Sequence, residues 1–174
     1  MSQIKVNSII PVSGVPTGGG GGIIQVLQSV KTDTATTTST NTFVDTGLSV
    51  SITPTSTSSK ILIYANLSFS AGDGQNIAWK LVRGSTDIYL GDADSNRTRV
   101  SGSVRVVSGQ DADHQNCTSI FLDSPATTSA TTYKITWCRT YTTYPIYMNK
   151  SYEDDDSDDR TRPPSSILVM EVSA

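Results

Sequence analysis

The chain has few of the features that mark enzymes. It contains a single histidine, His114, and it has neither a Gly-x-Ser-x-Gly motif nor a phosphate-binding loop, because the glycine run at residues 18–22 lacks the lysine and the helix that such a loop needs. One histidine severely limits nucleophilic mechanisms that depend on this residue. We therefore expect a protein that is not an enzyme and that carries no cofactor.

Long apolar runs and strong charge are also missing. No stretch of 18 or more apolar residues is present, so no membrane span is expected, and residues 1–7 lack the long apolar segment of a signal peptide. Charged residues make up 17% of the chain, and the net charge is −3. A mildly acidic chain does not attract nucleic acid or anionic lipid. We expect folding in a cytosol, without nucleic-acid binding or membrane insertion.

Cysteine is scarce as well. Cys117 and Cys138 fall in separate predicted strands. Disulfides are rare in the reducing compartment expected here. The sequence therefore favours two free, packed thiols over a disulfide.

What the chain does contain is strand periodicity. In residues 60–71 every second position is apolar: Ile61, Ile63, Ala65, Leu67 and Phe69. The residues between them include Asn66, Ser68 and Ser70, which are expected to face water. Residues 48–53 alternate in the same way, and the turn-forming residues 54–59 join the two segments. This period of two predicts strands with one face on a core.

About ten such strands can be counted between residues 23 and 172, and no segment shows sustained helical spacing. Strands without helical crossovers predict antiparallel pairing in two packed sheets, and a jelly roll is the best candidate. We expect one all-β domain over residues 23–174. Residues 1–22, which end in five glycines, are expected to be a linker, a peptide that docks on another subunit, or both.

The first and last strands, residues 23–30 and 167–172, are apolar on both faces. A strand of this kind must be covered on both sides. One side can face the core of the sandwich and the other a neighbouring subunit. The alternative is that loops of the same chain cover the second side.

Several segments, taken in order, resemble small virion structural proteins of tailed bacteriophages, especially marine and cyanobacterial phages. These proteins are usually described as tail-fibre-like. The segments that carry the resemblance are residues 4–9, 18–26, 43–54, 58–63 and 165–172. The strand count and the terminal strands also resemble the trimeric jelly roll of the C1q and tumour-necrosis-factor type, in which the first and last strands lie side by side near the threefold axis.

The resemblance implies a homotrimer in a virion, with residues 1–22 attached to other virion proteins. The expected trimer interface contains Ile23, Leu27, Ile167 and Val169. The first functional hypothesis is a fibre or receptor-binding module that attaches to the host. The second is a decoration or cement protein on the capsid. The third is a hydrolase of surface polysaccharide, for which Asp111 with Asp113, or Asp92 with Asp94, would supply paired carboxylates.

Two clusters are candidate sites. Tyr141, Tyr144 and Tyr147 precede the polar segment 150–164, and tyrosine combines a flat apolar face with a hydroxyl that suits glycans or protein. Packing at an edge strand is the alternative. In the acidic run 153–159, the carboxylates Asp154, Asp156 and Asp158 are weak candidates for Ca²⁺ ligands. The spacing is not that of a calcium loop, and Arg160 and Arg162 flank the run, so a solvated loop without metal is favoured.

Overall fold

The computed structural model describes residues 22–72, 74–106, 114–141 and 144–173. These residues form strands and loops, and they include no helix that could cross a membrane. The strands in chain order are β1 (Ile23–Lys31), β2 (Ala35–Thr37), β3 (Val44–Ile52), β4 (Lys60–Ala71), β5 (Asn76–Arg83), β6 (Thr86–Ile88), β7 (Gly102–Arg105), β8 (Gln115–Asp123), β9 (Thr131–Arg139), β10 (Ile146–Met148) and β11 (Ser165–Val172).

The strands form two antiparallel sheets. Sheet A has the order β1-β11-β4-β10-β2, and β8 pairs with the opposite side of β4. Sheet B has the order β3-β9-β5-β6, and β7 also pairs with β5. The long strand β4 is the centre of sheet A, because β11 and β10 follow one another along one side while β8 spans the other. This architecture confirms the predicted all-β sandwich of jelly-roll type.

The core lies between the sheets and is built on the predicted alternation. The apolar positions of β4 and the residues Tyr133, Ile135 and Trp137 of β9 are buried. The ring of Phe69 lies 5.5 Å from that of Trp79 and 5.6 Å from that of Trp137. Side chains of this size contribute most of the apolar area removed from water. The two tryptophans are therefore core residues.

Two polar residues of β4 contradict the sequence prediction. Ser68 and Ser70 were expected to face water, but both are fully buried. They lie on the outer face of sheet A, where residues 149–164 cross the strand. The Ser70 hydroxyl donates to the carbonyl of Lys150 at 2.5 Å, and the Asn149 N–H donates to the carbonyl of Ser68 at 3.1 Å. The alternation in the sequence predicts which face of a strand a residue lies on, but it does not predict whether another segment of the chain covers that face.

The assignment of two residues to the predicted trimer interface is also wrong. Ile167 and Val169 are fully buried inside a single chain, where they face the core between the sheets. The other face of β11 carries Leu168 and Met170, which are partly exposed. The strand is apolar on both sides, as predicted, but Ile167 and Val169 lie on the core side.

The three-residue strand β2 is not among the strands that the alternation in the sequence predicts. It consists of Ala35, Thr36 and Thr37 and pairs with β10 at the end of sheet A. A stretch this short and polar shows no alternation from which a strand could be predicted. Residues 1–21 lie outside the described residues, and the described domain starts with β1, so the division of the chain at residue 22 stays a prediction.

Both cysteines are free and buried, on strands of different sheets. Burial raises the pKa of the Cys117 thiol to about 11 and also raises that of Cys138. Protonated, buried thiols are poor nucleophiles, so both cysteines act as packing residues.

The ring of Trp79 leaves no room for a side chain at Gly102. A Cβ atom at this position would lie 2.2 Å from a ring carbon of Trp79, whereas at Gly91 no atom lies within 4 Å of such a Cβ. We predict that Gly102→Ala lowers the free energy of unfolding by about 1–3 kcal/mol, because a packed core resists added volume. Urea denaturation measures the effect, and Gly91→Ala is the control that should stay near wild type. Equal unfolding midpoints for both variants would contradict this packing.

Candidate interaction surface

The outer face of sheet A carries an ordered apolar surface, which we call the outer patch. Strand register places its side chains in three rows, each crossing β1, β11, β4 and β8. The rows are Val26–Met170–Leu62–Leu122, Gln28–Leu168–Tyr64–Ile120 and Val30–Ser166–Asn66–Thr118. Directly opposed residues of antiparallel strands point to the same face, so these side chains form one continuous surface.

The outer patch is exposed although much of it is apolar. The exposed fractions of Val26, Ile120 and Leu122 are 51%, 54% and 49%, and Tyr64 at the centre is 42% exposed. None of the residues in the three rows is charged. Contiguous exposed apolar surface of this kind marks an interaction site on a soluble protein.

Sheet B shows what a solvated outer face looks like in the same chain. Its outer side carries the ion pairs Lys134–Asp45 at 2.9 Å and Lys80–Asp87 at 2.6 Å. The ammonium group of Lys80 also lies 4.3 Å from the centre of the Phe43 ring. Since both sheets belong to one domain, the contrast shows that the uncharged outer patch is a particular property of sheet A.

The other half of the same face is covered by the chain itself. Residues 149–164, which we call the cover loop, cross the C-terminal half of β4. His114 fixes the loop further along: its Nε2 donates to the carbonyl of Thr161 at 2.9 Å, and its Nδ1 accepts from the hydroxyl of Ser68 at 3.3 Å. The only histidine is thus a structural link between β4 and the cover loop.

Asn149 starts the cover loop and is locked in place. It is fully buried with a φ of 63°, a left-handed conformation that asparagine tolerates better than most residues. Its side-chain amide donates to the carbonyls of Lys31 and Asp33 at 2.8 and 2.9 Å and accepts from the Ser165 hydroxyl at 2.6 Å. A fully satisfied buried network of this kind fixes one geometry, so the boundary between the covered half and the outer patch is well defined.

A buried carboxylate fixes the edge strand β1 to the rest of sheet A. Glu171 is fully buried in β11 and accepts from the Gln25 side chain at 2.6 Å and from the N–H and the hydroxyl of Thr55 at 2.7 Å each. Burial alone raises the pKa of Glu171, but the hydrogen bonds outweigh it and lower the pKa to about 2. The charged form therefore holds β1 and the 53–59 loop together.

At the opposite edge, a second buried group fixes the end of β8. Arg83 donates to both carboxylate oxygens of Asp123 at 2.8 and 2.9 Å, and the Tyr133 hydroxyl donates to the same carboxylate at 2.7 Å. Burial, followed by the bond to Asp123, raises the pKa of Tyr133 far above its ordinary value. The charge of Asp123 is thus neutralised inside the sandwich and does not reach the outer patch.

The predicted tyrosine site is only partly assembled. Tyr144 and Tyr147 both contact the ring of Tyr152, with ring centres 5.8 and 6.0 Å apart. Lys150 places its ammonium group 4.5 Å from the centre of the Tyr147 ring. Tyr144 lies so close to Gly72 that a Cβ there would approach its ring to 2.7 Å. Tyr144 and Tyr147 therefore have packing roles in addition to any ligand contact.

Tyr141 is the most exposed of the three predicted tyrosines, with an exposed fraction of 53%. It follows the end of β9 in a loop whose next two residues lie outside the described part of the chain. Of the predicted ligand-binding residues, it is the one whose side chain is most accessible to a partner.

Acidic side chains of the cover loop form ion pairs with arginine and lysine side chains of the same loop. Asp154 is paired with Arg162 at 2.7 Å and with Lys150 at 3.5 Å. Arg160 contacts three further carboxylates of the run. Across the described residues, Asp154, Asp156, Asp158 and the other acidic groups do not assemble into a set of three that could hold a metal ion.

Of the carboxylates in the hydrolase hypothesis, the structure describes Asp92 and Asp94. Asp92 and Asp94 lie in an exposed loop, and Asp94 is paired with Arg97. Asp111 and Asp113 fall outside the described residues. A hydrolytic site therefore stays a prediction of the sequence.

The sequence predicts an interface on two of the four strands of the outer patch, β1 and β11, but the predicted residues of β11 lie on its core side. Ile23 and Leu27 of β1 are exposed, at 61% and 39%, and their place in an interface stays a prediction. Tyr64, Ile120 and Leu122 are not among the residues that the sequence predicts for an interface. Tyr64 occupies a polar-phase position of β4, and this large residue among Asn and Ser was the available signal.

Comparisons with known proteins identify no family for this chain. No protein-family model matches it, and no curated protein matches it. Solved structures that resemble it include those of infectious bursal disease virus strains Gx and Gt, each with a TM-score of 0.48 and 10% sequence identity. The matched regions cover 97% and 98% of this chain but only 44% and 43% of the two viral chains, so this chain spans less than half of their length. Similarity at this level does not assign a function.

We predict that Glu171→Gln weakens the fold and flattens its pH dependence. Because the folded pKa of about 2 lies below the ordinary value of 4.5, the carboxylate stabilises the protein above pH 4.5, and this contribution is lost as pH falls toward 2. The variant should lose about 1–3 kcal/mol at pH 7 through mismatched buried donors. Its stability should also fall less than that of wild type between pH 5 and 2.

Urea denaturation across this pH range measures both effects. Glu153→Gln, which changes an exposed carboxylate of the cover loop, is the matched control and should resemble wild type. A Glu171→Gln variant with the wild-type pH profile would show that this carboxylate does not fix β1.

Proposed function

We propose that this protein is a virion structural protein that assembles as a homotrimer, with its jelly-roll domain presented for attachment to a host. The observation that carries the proposal is the outer patch. The outer face of sheet A is covered on one half by its own chain. On the other half the outer patch is largely apolar, exposed and without a charged residue in its three rows, which favours a partner surface.

Three further features support this proposal. The resemblance to tail-fibre-like phage proteins, carried by the ordered segments of the sequence, favours a virion. The position of β1 and β11 side by side in sheet A agrees with the arrangement expected near a threefold axis. The glycine-rich residues 18–22 directly precede β1, so residues 1–17 can attach to another virion protein without constraining the domain.

The second candidate function is a decoration or cement protein on the capsid. The packing of Tyr144 and Tyr147 on Tyr152 favours it, because tyrosines that stabilise the domain are less available to a receptor. In this function the outer patch still makes the oligomer, while the loops contact the capsid.

Assembly through the outer patch is tested by a charge at its centre. We predict that Leu168→Glu converts the oligomer to a monomer, because like charges would be buried without partners at a cost of about 3 kcal/mol or more. This corresponds to more than a hundredfold in the dissociation constant. Light scattering of the purified protein measures the mass against 18.6 kDa for one chain.

Ser51→Glu, on the exposed outer side of sheet B, is the matched control and should remain oligomeric. A wild-type protein that is monomeric at micromolar concentration would remove the basis of the proposal. An oligomer that tolerates Leu168→Glu would place the contact elsewhere.

The two candidate functions differ in what Tyr141 does. For a receptor-binding module we predict that Tyr141→Ala slows adsorption of virions to cells, while the melting temperature stays close to wild type because the side chain is exposed. Unchanged adsorption together with fragile particles would favour the cement protein. Immunolabelling of intact particles, which distinguishes head from tail, decides independently between the two.

A further inference from the structure

We infer that the oligomer closes through one repeated contact, in which the β8 edge of one copy lies against the β1 edge of the next. This inference rests on the proposed assembly through the outer patch and specifies which edges meet, so that in the closed ring the outer patches of the copies face the symmetry axis and one another. β1 and β8 are the two side edges of the four-strand part of sheet A that carries the patch.

Both edges have little of the usual protection against pairing, because the register irregularity of β1 lies at its start, between Ile23 and Gln25, and each strand carries a single charged residue, at its end. Each strand has nine residues, and within the described residues neither pairs with a further strand on its outer side. Neither contains proline. Natural edge strands are normally short, charged or interrupted, because an unpaired row of N–H and C=O groups is a template for another chain. Two long unprotected edges in one sheet therefore indicate that both are covered in the assembly.

The few charges on these edges are already neutralised. Lys31 at the end of β1 is paired with Asp33 at 2.6 Å, and Asp123 at the end of β8 is held inside the sandwich by Arg83. The edges can thus meet without burying an unpaired charge, which would be costly. Surfaces without charge suit a partner surface that is also uncharged, and each edge finds such a surface on a second copy.

Apolar side chains extend around both edges, beyond the flat face. On β1, Leu27 points to the opposite side from Val26, and the two are 39% and 51% exposed. At β8, Tyr89 is 43% exposed and lies 5.1 Å from the ring of Phe121, which also points away from the outer patch. A partner that touched only the flat face would leave Leu27 and Tyr89 in water.

A head-to-tail contact covers both edges with a single interface. A twofold contact that pairs β1 with β1 leaves every β8 edge free, and covering those edges as well needs a second, different twofold contact, which gives a dihedral or open assembly and not a trimer. One β8-to-β1 contact, repeated by a rotation, uses both edges and closes into a ring. This geometry is compatible with the proposed trimer, whereas twofold pairing of edges is not.

Cysteine cross-linking between two singly substituted proteins tests this contact. Val26→Cys and Ile120→Cys occupy exposed positions of β1 and β8, and both native thiols are buried, so the parent protein reports the background. The two variants are mixed, dissociated by dilution, reassembled and oxidised. Disulfide-linked dimer should exceed that of either variant alone by about tenfold, because a disulfide needs Cα atoms roughly 4.4–6.8 Å apart.

A short bismaleimide extends the reach of the test, and Ser51→Cys on sheet B mixed with Ile120→Cys is the control that should not cross-link. Cross-links formed mainly within Val26→Cys alone or Ile120→Cys alone would establish twofold pairing and overturn the inference while the oligomer stands. An oligomer without any of these cross-links would also overturn it. A monomer in light scattering would instead remove the proposed assembly itself.

Discussion

The fold depends on one interaction, which is the packing of the apolar inner face of sheet A against sheet B. On the inner face, the alternating apolar residues of β4 and β11 pack against sheet B around Phe69 and the two tryptophans. On the outer face, the cover loop covers only the C-terminal half of β4. Hydrogen bonds of Asn149 and His114 hold the loop there. The remaining half is the outer patch, and the proposed assembly follows from it.

Buried carboxylates with hydrogen-bond partners fix the two edge strands of sheet A in place. Glu171 holds β1 through neutral donors, and Asp123 holds the end of β8 through Arg83 and Tyr133. Carboxylates with satisfied hydrogen bonds tolerate burial, whereas unpaired ones do not. Both carboxylates therefore lie on the inner side of sheet A, away from the outer patch, whose three rows carry no charged residue.

Much of the fold could be predicted from the period of the strands, and β4 begins and ends as the alternation indicates. The errors come from contacts between distant segments. Ser68 and Ser70 were placed in water because nothing in their strand shows that residues 149–164 cross over them. Ile167 and Val169 were assigned to an interface because two-sided apolarity does not say which side faces the core. Tyr64 became significant only when strand register placed it beside Leu168 and Ile120.

Hydroxyl-radical footprinting of the native protein tests most directly whether other copies cover the outer patch. In a single chain Tyr64 and Tyr141 are similarly exposed, at 42% and 53%. At micromolar concentration Tyr64 and Met170 should be protected from oxidation while Tyr141 reacts, and dilution into the monomer should restore the reactivity of Tyr64. If Tyr64 is oxidised as readily as Tyr141 at all concentrations, the patch is open to water and the proposed assembly is wrong.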